Sequence, residues 1–372
     1  MGQDYKSGYA HFMLKEIMEQ PEVLESIFDR GILSPEKAVL NQEYQDFDFS
    51  FLQRIITVGC GTAYHAGLVG KHFIEKIARI PVHAELASEF RFTDPFIDQN
   101  TLIIAISQSG ETGDTLAALR LARARGGKVL AITNVEGSSI SKEADHVLYT
   151  RAGKEVSIAS TKAYLAQLAV LYLLGIQIAI DRGNLGIAGA FRYLSNLSKM
   201  PDLLKQVLKE EERLASIIAV LKESKNVFFL GRGLDAALAM EGSLKLKETS
   251  YIHAEAYPAG EFRHGPVALI EVDSPVIVLA TQPNFVRETA DVILELRSRG
   301  AMVMGITMDS GEVLNGLCYA KLNLPSILPE FTPLLGAAPL QLLAYKTALA
   351  KGNDVDTPRN LVKSVKDLNG AV

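Results

Sequence analysis

The sequence predicts an α/β protein built from two doubly wound parallel sheets, and three observations carry that reading. The chain repeats itself, its apolar runs are short and β-branched, and segments of helical period separate them. In the first half, Arg54-Ile-Ile-Thr-Val-Gly-Cys-Gly-Thr62 is followed by residues 81–91, by Thr101-Leu-Ile-Ile-Ala-Ile-Ser107 and by Gly127-Lys-Val-Leu-Ala-Ile-Thr133. In the second, Lys225-Asn-Val-Phe-Phe-Leu-Gly-Arg-Gly233 is followed by residues 252–263, by Pro275-Val-Ile-Val-Leu-Ala280 and by Gly300-Ala-Met-Val-Met-Gly-Ile-Thr307. Gly59 to Gly231 is an offset of 172 residues and Thr133 to Thr307 one of 174, so four blocks hold one register. Buried strands that alternate with helices demand a parallel sheet covered on both faces.

Taken in order, residues 1–45 read as an N-terminal arm with a helix from about Tyr9 to Arg30. Residues 46–184 hold the first copy, with a helix over Asp114 to Arg125. Its closing apolar stretch, Leu165 to Ile180, carries Gln167 and Gln177 and is expected to be a buried helix too short to span a bilayer. Residues 185–224 are richer in charge and read as a helical connector, with Pro201 marking a break. Residues 225–351 hold the second copy, with helices over Arg287 to Arg299 and Leu334 to Lys351, and 352–372 form a tail.

Composition narrows the function. Of 372 residues, 38 are Lys or Arg and 43 Asp or Glu, a formal net charge of −5, which argues against a surface built to grip nucleic acid or an anionic membrane. The cysteines, Cys60 and Cys318, stand alone and form neither a disulfide framework nor a zinc motif, so a reducing, cytoplasmic setting is expected. The start of the chain lacks an apolar signal core.

In open α/β sheets ligands sit beyond the carboxyl ends of the strands. There the two copies differ. The first carries Ser107-Gln-Ser-Gly-Glu-Thr112 between a strand and a helix expected to begin near Gly113, a set of hydroxyl, amide and backbone N–H donors suited to a phosphate monoester. Such a run is elsewhere an ordinary helix cap; its place in the repeat favours the phosphate. The second copy has Thr281-Gln-Pro-Asn-Phe285, where proline removes a donor, so one phosphate site per chain is expected. Glu241, Lys245 and Glu248 fall at i, i+4 and i+7 on one helix face, beside an apolar stripe of Met240 and Leu244. By spacing alone they would be an exposed ion-pair ladder. The loop-like stretch Tyr251 to Pro266 concentrates histidines, glutamates and tyrosines around glycines, and His264 within it is a candidate acid or base. Lys363, in the tail, would by itself pass as solvated charge.

The motifs GCGTAYHAG, ISQSGET, GSSIS, ASTKAY, EGSLKLKE, SYIHAEAYPAGEFRHGP and DTPRNLVKSV together resemble the isomerase domain of the glutamine:fructose-6-phosphate amidotransferases, or glucosamine-6-phosphate synthases, from about Tyr9 to Val365. The resemblance implies two flavodoxin-like sugar isomerase (SIS) domains that convert fructose 6-phosphate to glucosamine 6-phosphate, the first step of hexosamine synthesis. It implies that Ser107, Gln108, Ser109 and Thr112 bind the phosphate, while Thr62 and the segment from Ile158 to Ser160 line the sugar site. Glu248 would move a proton between C1 and C2 with help from Lys245. His264 would open the ring, reaching across a homodimer, and Lys363 would form a Schiff base with the open-chain ketose. An imine at C2 acidifies the C1 hydrogens, so a carboxylate can transfer one. The ligands implied are fructose 6-phosphate, glucosamine 6-phosphate and glucose 6-phosphate, with no metal, flavin or nicotinamide.

The sequence departs from the family pattern in three places. Ala63 follows Thr62 where a second hydroxyl is common, Phe262-Arg263 precede His264 where Leu-Lys is common, and residues 366–372 differ from the usual end. Two domains and their connectors account for the length, leaving none for the glutaminase domain of the family. The chain is therefore expected to isomerise and to use ammonia rather than to hydrolyse glutamine. Two other readings stand beside this one. A fructosamine-phosphate deglycase or amino-sugar-phosphate isomerase would share the fold but is disfavoured by the tail motif. A non-catalytic sugar-phosphate sensor would keep Ser107 to Thr112 without needing Glu248 and Lys363.

Overall fold

Each copy of the repeat builds one five-stranded parallel sheet. The computed structural model describes residues 6–308 and 311–363. The chain opens with α1 (Phe12–Met18), α2 (Gln20–Gly31), an antiparallel hairpin of β1 (Ile32–Ser34) and β2 (Val39–Leu40), and α3 (Gln42–Gln45). The first sheet comprises β3 (Arg54–Gly59), β4 (Val82–Leu86), β5 (Thr101–Ser107), β6 (Lys128–Thr133) and β7 (His146–Tyr149). Its helices are α4 (Thr62–Ala78), α5 (Ala87–Phe90), α6 (Gly113–Ala124), α7 (Ser139–Glu143), α8 (Lys162–Asp181) and α9 (Ile187–Leu197). After α10 (Met200–Lys209) and α11 (Ala215–Leu221), the second sheet comprises β8 (Asn226–Gly231), β9 (His253–Pro258), β10 (Pro275–Ala280), β11 (Met302–Met308) and β12 (Ala320–Leu324). Its helices are α12 (Leu234–Ser250), α13 (Val286–Ser298) and α14 (Thr332–Ala350).

The strand orders β4-β3-β5-β6-β7 and β9-β8-β10-β11-β12 are the same topology, the 2-1-3-4-5 order of a flavodoxin-like sheet. Central β5 is buried along its whole length, as a strand covered on both faces must be, whereas the edge strands β4 and β7 are partly open. The repeat extends to the backbone. Gly61 (φ +52°) and Gly233 (φ +57°) make the same strand-to-helix turn before α4 and α12, a left-handed conformation that glycine adopts without Cβ strain.

Helix α8 covers one face of the first sheet, packed against α4 and α2. It runs 20 residues and is apolar enough to cross a membrane, longer than expected from sequence, yet 94% of its apolar window is buried within the protein. The opposite face is filled by Ile56, Val58, Phe90, Ile103, Leu119 and Val129 under α5 and α6. The second sheet repeats the scheme, with Phe228, Leu230, Phe262, Val278 and Ile293 on the α13 side.

The two compact units interlace along the sequence. One contains residues 20–155, 162–201 and 362–363; the other contains 6–19, 156–161 and 202–361. Contiguous segments were expected. The arm divides between α1 and α2, and the connector after Pro201. In the second unit, the Asp356 carboxylate accepts the N–H groups of Phe12 (3.0 Å) and Met13 (2.9 Å), and Glu16 on α1 accepts those of Val156 (2.5 Å) and Ser157 (3.3 Å). Such bonds join residues up to 344 positions apart and leave no trace in periodicity. Residues 366–372, where the sequence departs from the family pattern, lie outside the described residues.

Candidate active site

At the carboxyl end of β5 the chain leaves the sheet through Ser107 and enters α6 six residues later. Ser107 is buried; its Oγ accepts the Gly110 N–H at 3.1 Å and meets Thr112 Oγ at 2.9 Å, while Ser109 Oγ accepts the Glu111 N–H at 3.2 Å. These bonds curl the loop into a nest of hydroxyls and backbone donors at the helix start. Gly110 sits at φ +66°, and a Cβ there would lie 2.0 Å from Ser138 Oγ, so only glycine lets the loop close against the Gly137-Ser138-Ser139 turn. The Glu111 carboxylate locks that turn, accepting from Ser139 N–H and Oγ–H, each at 2.8 Å. Thr62 opens α4 at the end of the neighbouring strand β3.

A cleft of about 610 Å³ adjoins this loop, lined in part by Gln108, Ser109, Asn134, Arg151, Glu155 and Lys363. Lys363 thus shares a cleft with Gln108 and Ser109 of the loop after β5. Its Nζ lies 2.5 Å from Glu155 Oε2, and Glu155 Oε1 accepts the Ala163 N–H at 3.1 Å at the start of α8. Sequence reasoning passed over Glu155. The signal available was an acid between β7 and the longest apolar helix, but the partner stands 208 residues away.

The second unit carries the other candidates. Glu241, Lys245 and Glu248 do share one face of α12, with Lys245 Nζ 2.6 Å from Glu248 and 3.5 Å from Glu241. The side chains of Lys245 and Glu241 are 0% and 1% exposed and that of Glu248 is 20% exposed, while Met240 and Leu244 are only half-buried. The charged face is therefore the inner one, reversing the exposed ladder that spacing alone suggests. Helix α12 packs along α14, with Gly242 against Leu340. A cation held between two carboxylates leaves Glu248 as the member of the trio nearest solvent, poised to exchange a proton.

Ile158 and Ser160 lie in the segment that Glu16 holds, with the Ile158 N–H donated to Asp356 O at 3.1 Å. The stretch Tyr251 to Pro266 is only partly a loop, since His253–Pro258 forms edge strand β9. His264 follows, exposed, just after the short 3-10 turn Glu261–Arg263. Among the described residues no hydrogen bond, ion pair or ring contact engages its imidazole, and nothing brings it to the Lys245 cluster.

At the position equivalent to Ser107, Thr281 donates its N–H (2.8 Å) and its hydroxyl (2.5 Å) to the Asp235 carboxylate. Asp235 is fully buried, and burial pushes its carboxyl up to about 6 despite those donors. The second copy has thus turned its strand-end donors inward onto the Asp235 carboxylate. Cys60, at the end of β3, has its thiol pushed up by burial, which disfavours the reactive thiolate.

Comparison with known proteins places these features. Residues 52–177 and 220–351 each match the SIS domain family. The glutamine-fructose-6-phosphate aminotransferase (isomerizing) of Caldanaerobacter subterraneus is 48% identical over 361 residues, which are 97% of this chain and 59% of that protein. The chain therefore spans somewhat more than half the length of such relatives. Among solved structures, the C-terminal domain of glucosamine-fructose-6-phosphate aminotransferase from Francisella tularensis superposes with a TM-score of 0.89 at 35% identity, covering 95% of this chain and all of that one. A glucosamine-6-phosphate deaminase from Thermotoga maritima superposes with a TM-score of 0.74 at 26% identity, covering 95% and 99%.

Proposed function

The chain belongs to the SIS family, as a two-domain member of the group that includes the C-terminal domain of glucosamine-fructose-6-phosphate aminotransferase, and from that membership we propose that it isomerises fructose 6-phosphate and, given ammonia, forms glucosamine 6-phosphate. The observation that carries the reading is the Lys245–Glu248 pair at 2.6 Å, a proton-transfer group that a mere sensor of sugar phosphates would not need. In this reading Ser107, Gln108, Ser109 and Thr112 hold the phosphate, and Thr62 and Ile158 to Ser160 line the sugar. Lys363 forms an imine with the ketose C2. Ammonia adds to that carbon and expels the Lys363 amine, and the sugar C2 imine left behind draws electrons from C1 and lets Glu248 remove a C1 proton and return it at C2, with Lys245 steadying the carboxylate.

The imidazole of His264, which no bond or ring contact engages among the described residues, supports a role in ring opening from the neighbouring subunit of a homodimer. A glutaminase domain, as in the longer relatives, is the proposed source of ammonia, and the cytoplasm the proposed setting. The experiment is to incubate the pure chain with fructose 6-phosphate, with and without ammonium, and follow glucose 6-phosphate and glucosamine 6-phosphate. Absence of both products overturns the reading. Ammonia release from glucosamine 6-phosphate without the forward synthesis would favour a deaminase like that of Thermotoga maritima.

A further inference from the structure

We propose that Glu155 is the proton shuttle for imine formation at Lys363, taking a proton from the ammonium before attack and returning it when water leaves. This rests on the imine reading of Lys363 given above. Three observations carry it. The Glu155 carboxylate touches the reacting atom itself, with Oε2 2.5 Å from Lys363 Nζ. The Glu155 side chain is 0% exposed while that of Lys363 is 27% exposed, so the carboxylate forms the floor beneath an amine that opens to the cleft. Its other oxygen is fixed by the Ala163 N–H, at the first turn of the 20-residue α8, so the acceptor stays put while the lysine side chain swings. The same cleft is lined by Gln108 and Ser109, which puts the amine beside the phosphate-loop residues.

The chemistry needs such a group. An ammonium has no lone pair, so one proton must leave Nζ before it can add to a carbonyl. That proton passes to Glu155 Oε2. The freed pair forms the N–C2 bond as the carbonyl π pair moves onto O2, and a second proton moves from nitrogen to that oxygen, giving a neutral carbinolamine. Glu155 then returns its proton to the hydroxyl, the C2–O2 bond breaks, water departs, and the nitrogen pair forms the C=N bond. Lysine ammonium and ketone become iminium and water, with the carboxylate regenerated beside the new cation. Burial would make a lone carboxylate costly. Here the charge faces a cation at the start of the cycle and at its end.

The test traps the imine. The intact chain is incubated with fructose 6-phosphate and cyanoborohydride, and the adduct on Lys363 is quantified over time by peptide mass mapping. Glu155→Gln keeps an oxygen for the Ala163 N–H but cannot accept a proton. It should slow trapping at saturating substrate about 100-fold, the lower range for general acid-base groups. Its affinity for glucitol 6-phosphate, which has no carbonyl, should be unchanged by calorimetry, and Glu155→Asp should recover part of the rate. Trapping of Glu155→Gln at the wild-type rate overturns the shuttle and leaves the imine standing. Equal loss of trapping and of glucitol 6-phosphate affinity would make Glu155 a structural support and overturn it too. Absence of any adduct on Lys363 in the wild-type chain removes the imine reading and the shuttle with it.

Discussion

Gly110 shows how one atom can decide a binding site. Its φ of +66° excludes a side chain on conformational grounds, and the 2.0 Å approach to Ser138 Oγ excludes it sterically. Gly110→Ala should cost about 1–3 kcal/mol from the backbone alone, and the displaced loop should bind sugar phosphates at least tenfold more weakly. A lowered melting temperature with unchanged phosphate affinity would contradict the role given to the loop. Glu248 makes a different demand, because its effect should fall on rate. Glu248→Gln should reduce exchange of the C1 proton of fructose 6-phosphate with deuterium oxide by about 10²–10⁴-fold, followed by NMR, while substrate affinity stays near that of wild type. At this scale the sequence was readable wherever neighbours in the chain cooperate, as in Ser107 to Thr112. It was silent on Glu16, Glu155 and Asp356, whose hydrogen-bond partners lie 140, 208 and 344 positions away.

Helix α12 is the element on which most of the proposed proton chemistry depends, and its period was legible while its orientation was not. Spacing at i, i+4 and i+7 puts Glu241, Lys245 and Glu248 on one face in any helix; it does not say which face meets α14. The structure turns that face inward, with the Lys245 side chain 0% exposed. Removing one partner of a buried ion pair leaves an uncompensated charge, a loss of about 3–5 kcal/mol. Lys245→Met should therefore lower the unfolding free energy, measured by urea titration, by an amount in that range. The double variant Glu241→Gln/Lys245→Met should recover part of it, since the more deeply buried of the two stranded carboxylates is gone. No recovery would mean that Lys245 acts through packing of its aliphatic stem rather than through its charge. Helix α8 carries a related lesson. Its apolar run was legible as a buried helix, yet composition alone cannot distinguish it from a membrane span. The two glutamines, Gln167 and Gln177, are buried with it.

Across the whole molecule the repeat was the most legible feature, because an offset of 172 to 174 residues maps onto two sheets of identical strand order. Less visible was where the strand-end donors of the second copy turn. Asp235 stands in register with Ala63 at the offset of 172, so a carboxylate replaces a methyl group at the first turn of the equivalent helix. There it takes both donors of Thr281, and Thr281 Oγ in turn meets Thr332 Oγ at 2.8 Å, closing the space from inside. An internal anion of this kind has a signature in pH. Asp235 titrates near 3.8 when unfolded and near 6 when folded, because burial penalises its charge. The folded state thus binds more protons between those values. The stabilisation from the protonated form is complete below about pH 4 and is lost as pH rises through about 6. A shift of that size corresponds to roughly 3 kcal/mol. Asparagine matches the shape, can accept the Thr281 N–H and does not titrate. The stability of Asp235→Asn relative to wild type should therefore rise by roughly 3 kcal/mol between pH 4 and pH 7 in urea unfolding. If the difference between the two proteins is flat across that interval, Asp235 is ionised throughout. The second copy would then hold its anion as firmly as the first is proposed to hold a phosphate.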